Sequence, residues 1–177
     1  MEVSTVRNLL GITALSAGMM VSATSFAATQ GTVGGTSTGD LDIQVTINDA
    51  VRISNLTDVV TTFTGTDISA PQTVCVYRNS TGDYNITATG DGGTGTEFKI
   101  ADTGVEIDYA VSWNDGSGAS AMTSNTALTG QQNADTSDPN CGGGDTATLT
   151  IGVLASDMVA VPTGVYTGTL TLTVAPE

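Results

Sequence analysis

Apolar and polar residues alternate along most of this chain. Leu41, Ile43, Val45 and Ile47 take turns with Asp42, Gln44 and Thr46, a period of two that places four apolar side chains on one face of an extended segment. Further strand-like runs follow at residues 50–53, 74–77, 84–89, 97–100, 105–113, 147–153 and 165–174. The turn-forming clusters STGD, GDGGTGT, ADTG, NDGSGAS and DPNCGGGD separate them. No apolar pattern persists at i, i+3, i+4, i+7 over three turns. Short strands rich in Thr and Val predict an all-β, antiparallel β-sandwich. Residues 119–139 are polar and predict a long loop with one edge strand around 126–129. Residues 28–39 hold only small and polar side chains apart from Val33, so they predict a flexible arm ahead of a sandwich domain that spans 40–177.

The opening residues belong to a different kind of segment. One Arg in the first eight residues precedes an apolar, small-residue run from Leu9 to Phe26 that ends Ser25-Phe26-Ala27. That is the pattern of a secretory signal peptide over residues 1–27, cut after Ala27. A membrane anchor is the other reading of such a run, but Gly, Ser and Thr interrupt it and it ends at a cleavage-like site. Export to the periplasm, and then to the cell surface or the medium, is the expectation, with no stable membrane insertion of the remaining chain.

Beyond the leader the chain has three basic residues, Arg52, Arg78 and Lys99, against seventeen acids. A surface this acidic repels nucleic acid and anionic membranes. Cys75 and Cys141 are the two cysteines. In an oxidising compartment they are expected to pair, closing a loop of about 66 residues worth roughly 4 kcal/mol. Two free buried thiols are the alternative.

Little chemistry is on offer. The absence of histidine removes the usual general base and the commonest metal ligand. Asp102-Thr103-Gly104 has the form of an aspartic-protease turn, but that chemistry needs two carboxylates sharing a proton. A single copy between two strand-like runs reads as a hairpin turn, so no catalytic residue, cofactor or metal is expected. Asp91, Glu97, Asp115, Asp135, Asp138 and Asp145 lie in loops where calcium finds oxygen ligands, and solvated turns explain them more simply. Tyr84, Tyr109, Trp113 and Tyr166 are candidates for a sugar-stacking platform, although Tyr109, Val111 and Trp113 share one strand face, as core residues do.

Three stretches carry a resemblance: VCVYRNSTGDYNITATGDG from Val74, VEIDYAVSWNDG from Val105 and GVYTGTLTLTV from Gly164. They resemble the spore coat U-like fimbrial subunits of the archaic chaperone–usher pathway, with Cys75, Tyr84, Gly90, Tyr109, Asp115, Gly164 and Tyr166 in matching places. The N-terminal cysteine usual in that family is missing. The resemblance implies an immunoglobulin-like sandwich lacking one strand, whose groove receives the N-terminal segment of another subunit. Residues 40–47 are then a donor strand, with Leu41, Ile43, Val45 and Ile47 entering successive pockets. The implied partners are copies of itself or related subunits, a periplasmic chaperone and an outer-membrane usher. The expected function is that of a structural subunit of a pilus or fibre. A monomeric secreted sandwich that binds a glycan or calcium is the alternative, and there 40–47 is the first strand of its own sheet.

Overall fold

A computed structural model describes residues 27–92 and 97–177; the signal peptide expected over 1–27 lies, up to residue 26, outside them. The chain divides at Thr46 and Ile47 into two units. In the first, residues 27–46, the chain doubles back so that Thr29 and Asp40 exchange two backbone hydrogen bonds of 2.8 and 3.0 Å.

The second unit is an antiparallel β-sandwich. One sheet takes the order β1 (Val51–Ser54), β2 (Ile68–Arg78), β9 (Ala147–Val153), β6 (Ala110–Asn114) and β7 (Ser120–Ala121). The facing sheet has β10 (Leu170–Pro176), β3 (Tyr84–Gly90) and β8 (Ala127–Gln131). A hairpin of β4 (Lys99–Asp102) and β5 (Val105–Asp108) forms a third, two-stranded ribbon, and a five-residue helix, α1 (Ala155–Val159), follows β9.

The alternation read along the chain explains the burial. Tyr84, Ile86 and Ala88 of β3 point inward, as do Val74 and Val76 of β2 and Val111 and Trp113 of β6; all are buried. These side chains fill the space between the two sheets, where each CH2 removed from water contributes about 0.8 kcal/mol. Cys75 and Cys141 are joined in a disulfide, which ties β2 to the Gly-rich loop before β9.

Several elements differ from the sequence reading for identifiable reasons. The run 105–113 breaks at Tyr109, whose N–H turns to the carbonyl of Phe98 at 2.9 Å. β5 therefore pairs with β4, and β6 with β9. β2 is eleven residues long despite Pro71. β1 pairs only with residues 75–78 of β2, so at Pro71 the strand has β9 on one side and a local edge on the other, which is where a sheet tolerates proline. The C-terminal strand starts at Leu170 rather than Val165, because Thr167 pairs across to Ala101 of the ribbon. Residues 41–50 form no strand.

Candidate assembly site

The facing sheet ends in an unpaired edge. β10 pairs with β3 along its whole length, from Leu170 opposite Gly90 to Pro176 opposite Tyr84, and no strand is hydrogen-bonded to its other edge among the described residues. A strand edge without a neighbour leaves a row of backbone N–H and C=O groups open to pairing. Beside it lies a cleft of about 920 Å³, floored by Ile68, Leu149 and Ile151 of the larger sheet and walled by Leu170 and Leu172 of β10. Leu170, Leu172 and Val174 pack against the core but stay only partly buried, as do Ile53, Ile68 and Ile151. Side chains that alternate inward yet stay only partly buried leave apolar surface of the core open along the cleft.

The opposite wall is the connection 55–67. Asn55, at φ 66°, ends β1 with a left-handed kink. The chain then runs alongside β2 without joining its ladder. The register of β1 on β2 pairs Ser54 with Cys75, and continuing it would set Thr57 opposite Gln72. The Gln72 side chain makes that connection instead: its amide donates to the Thr57 carbonyl at 2.7 Å and accepts from the Thr57 N–H at 3.1 Å. Leu56, Val59 and Phe63 of this connection line the cleft.

Leu41, Ile43, Val45 and Ile47 are 70, 83, 78 and 82 % exposed. The segment expected as a donor strand is thus an alternating apolar stripe with no ladder of its own. The reading in which it is the first strand of its own sheet has no strand pairing to rest on among the described residues.

The other candidates fall in place as parts of the fold. Thr103-Gly104 is the two-residue turn between Asp102 at the end of β4 and Val105 at the start of β5, with φ 47° at Thr103 and 86° at Gly104, the paired positive values of a type I′ hairpin. Tyr84 and Trp113 are wholly buried and Tyr109 nearly so, its ring 5.5 Å from that of Phe98. The fourth aromatic, Tyr166, donates its hydroxyl to the Pro162 carbonyl at 2.9 Å.

Five of the six loop acids are engaged by hydrogen bonds or an ion pair within the fold. Asp91 accepts the Thr169 N–H at 2.7 Å, which holds its carboxyl below the usual range. Asp135 accepts the N–H groups of Asp138 and Ser137 and is lowered for the same reason. Burial works against the ionised form of Asp115, yet hydrogen bonds from Ser117 and Gln132 outweigh it and lower its pKa. Asp138 accepts the Asn140 N–H, and Glu97 pairs with Lys99. Among the described residues no group of three or more His, Cys, Asp or Glu side chains gathers as a metal would require. Lys99 lies between Glu97, Glu106 and Asp108 at 3.1, 3.1 and 3.6 Å, an exposed cluster of small net value.

Nothing in the local pattern singles out Arg78, which is a buried polar hub. Its guanidinium meets the Asp49 carboxylate at 2.5 Å, and this contact holds the Asp49 pKa below its ordinary 3.8. A lone Arg at the end of a predicted strand reads as a surface charge, and only the returning chain ends reveal what surrounds it.

No family model matches the chain, and no curated protein matches it in sequence. Among solved structures, a chain from the work described as "Chaperone-tip adhesin complex is vital for synergistic activation of CFA/I fimbriae biogenesis" matches with a TM-score of 0.53 and 18 % identity, over 72 % of this chain and 41 % of that one. The present chain thus spans less than half the length of the chain it matches. At this identity the likeness is one of fold: the protein is an all-β sandwich of the type found in a fimbrial chaperone–adhesin complex.

Proposed function

We propose that the protein is a structural, non-enzymatic subunit of a surface pilus or fibre assembled by donor-strand exchange. Residues 41–47 of one copy, or of a related subunit, lie in the cleft beside β10 of another. The observation that carries this reading is the bare edge of β10 over an apolar cleft, in a chain that also has an alternating segment without a ladder. The fold likeness to a chain from a fimbrial chaperone–adhesin complex supports the same direction.

The energetics favour such an exchange. Burying Leu41, Ile43, Val45 and Ile47 contributes on the order of 6–12 kcal/mol before the cost of ordering the arm. Hydrogen bonds to the β10 edge fix the register, because a slip of one residue turns Asp42, Gln44 and Thr46 into the cleft. Groove and arm are different surfaces, so the contact is heterologous and propagates instead of closing a dimer. An exported subunit with an open cleft also needs protection before assembly, the role the resemblance assigns to a periplasmic chaperone and an outer-membrane usher. The alternative of a glycan-binding monomer has little support, because three of its four candidate aromatics are in the core.

Polymerisation of the exported chain tests the proposal. Ile43→Asp and Val45→Asp place a charge in an apolar groove, and each should abolish heat-sensitive multimers while leaving the sandwich folded. A peptide of residues 40–49 should bind the chain lacking 28–47 and raise its melting temperature. A parent chain that stays monomeric at high concentration and shows no multimer ladder would defeat the fibre reading.

A further inference from the structure

We infer that Arg78 and Asn79 form a tether carrying tension from the root of the donor arm into the strand that receives the next donor, a role that rests on the donor-strand reading above. Asn48, Asp49 and Ala50, immediately after the exposed arm, are each gripped by these two side chains at the end of β2. The Asn79 amide donates to the Asn48 carbonyl at 2.8 Å and accepts the Ala50 N–H at 2.8 Å, while the Asn79 N–H reaches the Ala50 carbonyl at 3.0 Å. Arg78 Nε lies 3.2 Å from both Asp49 oxygens, and Ser80 Oγ donates to Asp49 Oδ1 at 2.8 Å.

The same guanidinium reaches the other end of the domain. Arg78 Nη2 donates to the Glu177 carbonyl at 3.0 Å, just beyond β10, and Nη1 donates to the Asp83 carbonyl. Glu177 in turn gives its N–H to Asp83 at 2.9 Å. Gly82, at φ 138°, makes room for the fork, since a Cβ there would fall 2.9 Å from Nη1. The side chain is only 4 % exposed, although the Asp49 carboxylate it meets is open to solvent on its far side, and its charge-assisted bonds are stronger than neutral ones.

This geometry decides how a pull on the arm is borne. Without the grip, force would arrive at Val51 and peel the four-residue β1 from β2 one pair at a time, starting at the Val51–Arg78 pair. With it, the bonds to Asn48, Asp49 and Ala50 are loaded together. They pass the force into β2, which is laddered to β9, and through Glu177 toward β10. In the proposed fibre β10 is the strand to which the next donor is bonded, so load enters and leaves the subunit at one guanidinium.

Single-molecule pulling on the full exported chain from its two ends, combined with shear of assembled fibres, tests the tether. Arg78→Lys keeps the charge but loses the fork, and Asn79→Ala removes the amide grip without stranding a buried charge. Asn79→Ala should keep the parent's melting behaviour and still polymerise, yet lose the first force peak and give shorter fibres after shear. Arg78→Lys should lose the same peak. An Asn79→Ala chain with the parent's force trace and fibre lengths would overturn the tether alone, whereas a parent that forms no fibres would overturn the donor-strand reading and this role with it.

Discussion

The sandwich is closed at one end of its core and open at the other. Around Trp113 and Tyr84, side chains from β2, β3 and β6 interlock with no exposure at Val74, Tyr84, Ile86 or Trp113. Around Leu170 and Leu172, residues of the same alternating pattern stop half-covered above the cleft. Sequence chemistry does not distinguish the two regions, since both are aliphatic and aromatic side chains at a period of two. What differs is the number of strands beside them. β3 is flanked by β10 and β8, whereas β10 has β3 alone. Burial in a sheet protein is thus a property of neighbouring strands as much as of the residue, and a strand that keeps its inward pattern without a neighbour points to a partner from elsewhere.

Truncation at the closed end should show the largest effect. Trp113→Ala removes a wholly buried ring and should cost about 3–5 kcal/mol, read by urea unfolding of the monomer. A cost below about 1 kcal/mol, the range typical of surface changes, would mean that this end is not the closed one.

At the open end the same kind of change should separate stability from assembly. Leu172→Ala trims a partly buried side chain that lines the cleft, so the monomer should lose only about 1 kcal/mol, below the 2–5 typical of a full core site. Binding of the peptide 40–49, followed as the rise in melting temperature, should weaken much more. Equal losses in both measurements would erase the distinction between the two ends.

The smallest expected effect concerns a polar detail of the closed end. The Tyr84 hydroxyl and the Trp113 indole N–H are both buried; the indole offsets part of the effect of burial on the phenol, yet the pair misses hydrogen-bond geometry. Burial pushes the Tyr84 pKa up from 10.0 to about 12. The proton is therefore held more tightly in the folded chain than in the unfolded one. Its contribution is intact below pH 10 and is lost as pH rises toward 12. Tyr84→Phe removes a hydroxyl without a partner, so it should be neutral or stabilising within about 1 kcal/mol at neutral pH. It should also flatten the alkaline fall in stability measured by urea unfolding between pH 10 and 12.

Much of this architecture was legible in the residues. The run 147–153 reads directly as β9, and Asp102-Thr103-Gly104 reads as the hairpin turn between β4 and β5, because period-two alternation and positive-φ turn chemistry are local. The break at Tyr109 was not legible, since it depends on Phe98, just ahead of β4, reaching its N–H. Nor was the reach of β2 past Pro71, which depends on where β1 stops. α1 is too short to show a helical period. The apolar stripe at 41–47 was plain, but its lack of a ladder depends on the other strands. The Arg78 hub lay beyond local reading, because two of its partners, Asp49 and Glu177, approach it from positions 29 and 99 residues away.

The engagement of Arg78 and Lys99 also bears on how the folded chain meets proteases. Trypsin-like proteases cut after Arg and Lys, and from residue 27 onward the chain offers them three such sites. Arg78 is sealed inside its hub, and Lys99 is ion-paired within β4. Arg52 alone among the described bases has an exposed and unengaged side chain, and even it lies in a strand. Cleavage needs an extended backbone free to enter the enzyme, which usually means a loop or a local opening. The folded chain should therefore resist trypsin until it unfolds, with any early nick falling after Arg52.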